Sequence, residues 1–383
     1  MSREGAVVAG HICLDIIPRI PGGNVQARLA PGALIEIGAA LLSTGGPVSN
    51  TGRSLHTLGI ATHLMGKVGD DPFGRIILDL IRAQDPALTQ NMIVVPGEVS
   101  SYSIVLSPPD ADRSFLHCAG ANHTFSAADV DYESLRQALL FHFGYPPMME
   151  RMYAGDGAEL ETMFRRARET GVITSLDMAM PDPQGPSGRV DWRRVLARTL
   201  PYVDIFLPSL DELLVMLCRE MPASPQPADT LLSDVAAEML DWGAGIVVLK
   251  LGARGLYLRI GARGIAALPG AGWRERELWA PCFVPEPLVG TTGAGDATIA
   301  GFLAGVLRGQ PVETALTSAV AVGACNVEAA DALSGVRPWD ETQARVAAGW
   351  ARQAVTIGSA GWTWHAEHAL WVGPHDAVLR ARA

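Results

Sequence analysis

The sequence has few cysteines and no pattern that would pair them. Five cysteines are spread over 383 residues, and no two of them form a C-x-x-C pair. Small disulfide-stapled proteins and zinc modules use closely spaced or even-numbered sets of cysteines. We therefore predict free, buried thiols in a protein of a reducing compartment; they are Cys13, Cys118, Cys218, Cys282 and Cys325.

The sequence also lacks an excess of positive charge and a long apolar run. Its formal net charge is −10 at pH 7, which disfavours binding to nucleic acid or to an anionic membrane surface. The N-terminal stretch MSREGAVVAGHICLDI has an early acidic residue and an apolar run too short for a signal peptide or a membrane span. We expect a cytoplasmic protein whose partners are small molecules or other protein chains.

Several common catalytic and nucleotide-binding motifs are missing. There is no G-x-x-x-x-G-K-[ST], because Gly66 and Lys67 are followed by Val68, which has no hydroxyl for magnesium. No G-x-G-x-x-G follows the first predicted strand, which argues against a dinucleotide-dependent enzyme. There is also no G-x-S-x-G element and no zinc spacing of cysteine and histidine.

What the sequence does contain is an alternation of apolar, strand-like runs and helix-like periodic stretches. This alternation predicts one large α/β unit with a mostly parallel sheet and helices on both faces. The predicted strands are 6–16, 61–69, 139–144, 172–177, 203–208 and 246–252, and helical stretches include 148–170 and 228–242.

Two segments interrupt this alternation in the N-terminal half. Residues 18–40 are rich in proline and glycine, and residues 101–120 resemble two strands joined by a Pro-Pro-Asp turn. We predict that they form a small β-sheet lid, from about 16–40 and 98–122, that closes a site or pairs with another subunit. The alternative is two unrelated surface loops.

The C-terminal residues 346–383 form a predicted extension that is rich in tryptophan and histidine. Its clustered histidines are His365, His368 and His375, and their spacing is not that of an H-E-x-x-H zinc motif. Aromatic density of this kind is more typical of packing against a domain or a neighbouring subunit. We expect packing here rather than a metal site.

A glycine-rich stretch leads into an apolar helix at Gly293, Ala294, Gly295 and Asp296. The free N–H groups of a helix's first turn, unobstructed by side chains, form a pocket for a phosphate. A carboxylate in that turn, Asp296, can accept the proton of a hydroxyl that attacks the phosphoryl group. The alternative is that Asp296 is merely an acidic residue favoured at a helix start.

A second group of candidate ligand-binding residues lies in residues 43–74, together with Asp15. Gly45 and Gly46 allow the backbone to approach a ligand, and the amide of Asn50 can donate to and accept from hydroxyls. Asp15 is predicted at the end of the first strand, where open α/β sheets bind ligands, although a structural turn role explains it equally well.

Taken together, these motifs resemble those of the ribokinase-like, PfkB-type carbohydrate kinases. The family's D-T-x-G-A-G-D signature is similar to GTTGAGD at 290–296, and its GG…N element to Gly45, Gly46 and Asn50. Its G-x-x-G-x-D-x-x-G segment is similar to GKVGDDPFG at 66–74. The likeness covers roughly residues 5–345, which we expect to form the kinase domain.

The resemblance implies a three-layer αβα sandwich with a β-sheet lid that often mediates dimerisation. It implies phosphorylation of a sugar or nucleoside hydroxymethyl group by ATP with Mg²⁺, with Asp296 as catalytic base and Gly293, Ala294 and Gly295 as its anion hole. Asp15, Gly45, Gly46 and Asn50 match sugar-contacting positions. Near the ATP phosphates, Lys250, Gly252 and Gly255 match a strand-and-turn segment, and Glu212 resembles the glutamate of an N-x-x-E motif that acts on magnesium through water.

Three positions depart from the family pattern. Gly290 replaces a common aspartate, which weakens the expectation of a monovalent-cation site, and Ser209 replaces the asparagine of N-x-x-E. Ala179 stands where many members have asparagine. We predict an ATP-dependent sugar kinase that forms a homodimer. The alternatives are a nucleoside kinase of the same fold and a catalytically weak sugar- or nucleotide-binding regulator.

Overall fold

The computed structural model describes residues 3–20, 31–107, 114–219, 229–265 and 271–380. Its strands are β1 (Ala6–Gly10), β2 (Cys13–Pro18), β3 (Ala40–Gly45), β4 (Thr62–Met65), β5 (Lys67–Gly69), β6 (Ile93–Val95), β7 (Tyr102–Leu106), β8 (Ser114–Cys118), β9 (Leu140–Gly144), β10 (Ile173–Leu176), β11 (Ile205–Phe206), β12 (Ile246–Lys250), β13 (Leu256–Ile260), β14 (Glu277–Ala280), β15 (Thr363–His365) and β16 (Leu370–Val372).

The α-helices within these ranges alternate with the strands for most of the chain. They are Pro47–Thr57, Pro72–Arg82, Tyr132–Gln137, Glu150–Glu169, Trp192–Thr199, Leu210–Met216, Asp229–Asp241, Ala294–Leu307, Val312–Asn326, Trp339–Ala347 and Ala377–Arg380.

Ten strands form one large sheet in the order β15-β16-β14-β13-β12-β11-β10-β9-β1-β4. The six strands from β12 to β4 are parallel, and the other four continue the sheet in antiparallel fashion. The chain leaves β1 toward β4 on one side and later returns to β9 on the other. Such a reversal of strand order opens a crevice at the carboxyl ends of the strands.

The sheet is covered by helices on both faces. Alternate residues of β1 point to opposite sides, so Ala6 and Val8 join one apolar cluster while Val7 and Ala9 join the other. Helices 47–57, 72–82, 294–307 and 312–326 contribute to the first cluster, and helices 150–169, 192–199 and 229–241 to the second. The predicted three-layer αβα architecture with a mostly parallel sheet is confirmed.

Two predicted strands are each divided in the structure. The run 6–16 is β1 of the large sheet followed by β2 of a separate sheet, and 61–69 is likewise β4 followed by β5. Both apolar runs cross from one sheet to another, and hydrophobicity stays high across the crossing because both segments are buried. Periodicity alone therefore could not show the break.

A separate four-stranded sheet has the order β3-β2-β7-β8. Most of its β2 and β3 lie on either side of the proline- and glycine-rich segment rather than inside it, which corrects the predicted bounds of 16–40. Its other two strands, β7 and β8, fall within the predicted 98–122. Two parts of the predicted lid, residues 21–30 and the Pro-Pro-Asp turn within 108–113, lie outside the described residues.

The C-terminal segment continues the large sheet through the hairpin β15–β16, which pairs with β14. Trp362 packs against Tyr257 and Trp279, and Trp350 stacks on Phe283 with ring centroids 4.6 Å apart. These aromatic side chains attach the segment to the body of the domain.

Two smaller predictions need correction. The helical stretch 148–170 corresponds to Glu150–Glu169, but four residues, 154–157, have non-helical backbone angles, three of them with positive φ. Two glycines in that stretch make this backbone accessible. All five cysteines are free, but only Cys13 and Cys325 are buried. Cys118 and Cys282 are partly exposed, and Cys218 is exposed.

Among the described helices, none combines the length and apolar character needed to cross a bilayer.

Candidate active site

Asp296 lies in the first turn of the helix Ala294–Leu307 and is only 2% exposed. Gly293 caps this helix in the left-handed conformation, with φ of 71°, which glycine adopts without steric cost. A Cβ atom at Gly293 would also lie 2.8 Å from Cα of Ala332. The chain therefore turns sharply into the helix and leaves its first N–H groups without bulky neighbours.

Three side chains orient the Asp296 carboxylate. The Asn50 amide donates to Oδ2 at 2.9 Å, the Thr51 hydroxyl donates to Oδ1 at 3.3 Å, and the Tyr145 hydroxyl lies 3.1 and 3.0 Å from the two oxygens. Burial raises the pKa of Asp296, and the hydrogen bonds from Asn50 and Tyr145 oppose this rise. A fixed carboxylate with raised proton affinity has the properties of a general base.

Asp15 lies within β2 of the small sheet, not at the end of β1 as predicted. Asp15 pairs with Ser43 of β3, and its side chain lies over Gly45, where an added Cβ would be 2.8 Å from the Asp15 Cγ. Burial raises the pKa of Asp15 to about 6, and the charge of Asp296 adds to the rise. The two carboxylates are therefore close enough for their charges to interact.

Asn50 lies in the helix Pro47–Thr57, and Gly46 is the N-cap residue that precedes this helix. Asn50 is 5% exposed, and its amide nitrogen is used by Asp296. Its Oδ1 atom is buried and has no hydrogen-bond partner among the described residues. Buried acceptors are normally satisfied, so this oxygen is available to a ligand hydroxyl.

Lys250, the last residue of β12, forms a 2.6 Å ion pair with Asp177, which follows β10. The carboxylate of Asp177 raises the pKa of Lys250, so the lysine stays charged. A Cβ atom placed on Gly295 would be 3.7 Å from the Lys250 Nζ. A positive charge thus lies beside the helix N-terminus, where an anion is stabilised.

A cavity of about 380 Å³ opens next to this N-terminus. That volume lies within the range of ligand pockets, roughly 300–1,000 Å³. The predicted nucleotide residues Lys250, Gly252 and Gly255 line it together with Ala294 and Gly295. Its other walls include the apolar side chains Leu256, Phe283, Leu288, Val320 and Val327.

Glu212 lies near the Lys250–Asp177 pair, since its charge contributes to the raised pKa of Lys250. Its carboxylate accepts the Ser209 N–H at 2.8 Å, and the Ser209 hydroxyl accepts the Glu212 N–H at 3.3 Å. Ser209, the departure from N-x-x-E, therefore serves in a capping box of the helix Leu210–Met216.

The other two positions that differ from the family pattern are Gly290 and Ala179. The N–H of Gly290 donates to the Val327 carbonyl at 3.2 Å, and a Cβ there would lie 3.2 Å from the Ala329 carbonyl oxygen. Ala179 is buried, with 8% of its surface exposed.

The structure adds Tyr145 and Thr51 to the residues identified from the sequence. Tyr145 follows β9 directly and has a left-handed backbone, with φ of 65°. Its position at the carboxyl end of a parallel strand could have identified it as a candidate site residue, since such ends meet at one edge of the sheet. Its contact with Asp296, 151 residues away in sequence, could not be read from the chain.

Comparison with known proteins agrees with this geometry. The model of the pfkB family carbohydrate kinases matches residues 6–339. An uncharacterized sugar kinase of Archaeoglobus fulgidus is 26% identical over 259 residues, which cover 68% of this chain and 88% of that protein. Fructokinase-1 of Zea mays is 25% identical over 309 residues, which cover 80% of this chain and 84% of the relative.

A solved structure supports the same assignment at the level of the fold. Arabidopsis thaliana ribokinase complexed with ribose and ATP superposes with a TM-score of 0.69 at 21% identity, covering 89% of this chain and 98% of that one. Because the family model spans most of the sequence, the chain belongs to the PfkB family of carbohydrate kinases.

Proposed function

We propose that this protein transfers the γ-phosphoryl group of ATP to a hydroxymethyl group of a small sugar. The observation that carries this proposal is the placement of Asp296, a buried and oriented carboxylate, beside a helix N-terminus and the Lys250 ammonium. A base and an anion pocket on neighbouring atoms are what phosphoryl transfer to an alcohol requires.

The acceptor sugar is proposed to lie between Asp296 and the small sheet. Asp15 offers carboxylate oxygens and Asn50 offers its unpaired Oδ1, both as acceptors for sugar hydroxyls. Because Gly45 and Gly46 have no side chains, the backbone there can approach the sugar closely. Two acceptor groups at fixed positions favour a polyhydroxylated substrate over an apolar alcohol.

ATP is proposed to occupy the cavity beside Gly295, with its adenine against the apolar wall. The first N–H groups of the helix Ala294–Leu307 and the Lys250 ammonium would stabilise charge on the transferred group. The acceptor oxygen attacks the γ-phosphorus while Asp296 takes its proton. The bond from the γ-phosphorus to the bridging oxygen breaks, and ADP leaves.

The residues here also suit Mg²⁺, which prefers oxygen ligands and usually keeps several waters. Oδ2 of Asp177 is buried without a hydrogen-bond partner among the described residues, and the Glu212 carboxylate lies nearby. We propose that these two carboxylates hold the ion, Glu212 through water. When bound, Mg²⁺ neutralises phosphate charge.

The small sheet is proposed to act as a lid and as a dimer contact. A lid over the acceptor excludes water, which would otherwise compete as the phosphoryl acceptor. The two edge strands of this sheet, β3 and β8, expose the large apolar side chains of Leu41, Leu42, Phe115 and Leu116. Exposed apolar patches of this kind mark interaction surfaces, and a second copy of the chain is the proposed partner.

An acceptor panel tests the function. Purified protein is incubated with ATP and Mg²⁺ in a coupled ADP-release assay with fructose, ribose, other small sugars and a set of nucleosides. Sugar-dependent ADP release is the expected result, and turnover restricted to nucleosides would favour a nucleoside kinase instead. Stabilisation by ATP against heating without ADP release on any acceptor would favour a binding regulator and contradict the proposal.

A further inference from the structure

A cluster of metal-ligating side chains lies at the edge of the large sheet, outside the site described above. His365 ends β15, and Glu367 and His368 lie in the short connection to β16. The family match ends at residue 339, so the cluster comes from the C-terminal segment beyond it. The sequence predicted only packing for these histidines, because H-x-E-H is not a recognised zinc spacing.

The hairpin brings the three side chains together. One ligand atom from each of His365, Glu367 and His368 lies within 4.8 Å of the others. The two imidazole rings have centroids 5.1 Å apart and planes inclined by 11°.

A second observation points to a missing ligand. Nδ1 of His365 is buried and has no hydrogen-bond partner in the part of the chain that the structure describes. Leaving a buried ring nitrogen unpaired is unfavourable. An ion bound at the cluster through this nitrogen would supply the missing partner.

The surrounding charges favour a cation. The cluster opens onto a cavity of about 240 Å³ that is also lined by Arg276, Glu313 and Asp376. The Arg276 guanidinium donates to Asp376 at 2.7 Å and to Glu313 at 2.6 Å, so its charge is already compensated. With Glu367 added, one positive group faces three carboxylates, which leaves the cavity negative.

We propose that His365, Glu367 and His368 bind one Zn²⁺ ion, with water as a fourth ligand. Two imidazole nitrogens and one carboxylate suit zinc, whereas Mg²⁺ and Ca²⁺ prefer all-oxygen sites. Because the ligands span the turn between β15 and β16, the ion would stabilise the hairpin that extends the sheet at β14.

Binding is tested on the full chain without a histidine tag, stripped with chelator. Titration calorimetry with Zn²⁺ should show one site, Co²⁺ should give the visible absorption of a tetrahedral complex, and Zn²⁺ should raise the melting temperature. His365→Ala and His368→Ala should each weaken Zn²⁺ binding by at least about tenfold, the smallest loss expected when even an outer-shell partner is removed. Glu367→Gln should weaken it in the same direction.

The matched control is His63→Ala, which removes an exposed histidine of β4 at the opposite edge of the sheet. It should bind Zn²⁺ as the wild type does. Equal melting temperatures of all variants in chelator would show that the hairpin still folds. The proposal is overturned if the wild type binds no Zn²⁺ at millimolar concentration, or if both histidine variants retain wild-type affinity.

Discussion

Replacing Asp296 by asparagine tests the proposed base with little change in shape. The amide Oδ1 of asparagine can still accept from Asn50 and Tyr145, and the Thr51 hydroxyl can turn to accept from the amide nitrogen. The oriented geometry should therefore persist. What is lost is the ability to take up the proton of the sugar hydroxyl.

The expected loss follows from that single function. General-base catalysis contributes about 10²–10⁴-fold, or roughly 3–5 kcal/mol of transition-state free energy at 1.36 kcal/mol per factor of ten. Since Asn50 and Tyr145 keep the side chain in place, we expect kcat for the sugar to fall by this amount. The affinity for ATP should change little, because the helix N-terminus and Lys250 are untouched.

Stability should not decrease in this variant. Burial raises the pKa of Asp296, so the ionised carboxylate is less favourable in the folded protein than in the unfolded chain above that pKa. A neutral asparagine removes this cost near neutral pH. The melting temperature of Asp296→Asn should thus equal or exceed that of the wild type.

Steady-state ADP release and calorimetric titration with ATP measure both quantities. Asp340→Asn is the matched control, because Asp340 lies in the first turn of another helix, Trp339–Ala347, and is exposed. It should retain wild-type kcat. Turnover of Asp296→Asn within threefold of the wild type, on the best acceptor of the panel, would refute the assignment of the base.

Three further predictions concern the acceptor side. The pKa of Asp15 is raised to about 6, and that of Asp296 is also raised. Because both carboxylates must be ionised for the proposed reaction, kcat/KM should decrease as the pH is lowered through about 6. A decrease only near the ordinary aspartate pKa of about 4 would contradict this. Tyr145→Phe removes a hydrogen bond that lowers the pKa of Asp296, so the same plot should shift its acid limb to higher pH, and an unshifted limb would argue against the contact. Gly45→Ala places a Cβ against the Asp15 carboxylate, so KM for the sugar should rise at least about tenfold while KM for ATP stays constant, which initial-rate kinetics with each substrate varied would check.

Local pattern was enough to identify the main features of this protein. Alternating apolar runs predicted the layered α/β fold, and the small residues before Asp296 predicted a helix start able to hold an anion. These are properties of neighbouring residues: side-chain size, backbone freedom and helical periodicity act over a few positions. The motifs at both ends of the domain then placed the chain in its family.

Other features depend on residues that are distant in the sequence. The chain between His11 and Ile12 passes from one sheet to the other, and only strand pairing shows it, because both sides are buried. Asp177 and Lys250 are 73 positions apart, and they meet because parallel strands β10 and β12 end at the same edge. Tyr145 follows the parallel strand β9 and contacts Asp296, because the helix Ala294–Leu307 begins near the end of that strand.

The two histidines of the C-terminal hairpin show this difference most clearly. Their sequence spacing matches no known metal motif, so the chain alone favoured packing. The turn between β15 and β16 brings His365, Glu367 and His368 together. Glu313, on the helix Val312–Asn326, and Asp376, which follows β16, line the same cavity. The sequence by itself thus determined the fold class and the family motif that contains the proposed base. Tertiary structure decided which side chains converge, because convergence depends on strand order and register rather than on local composition.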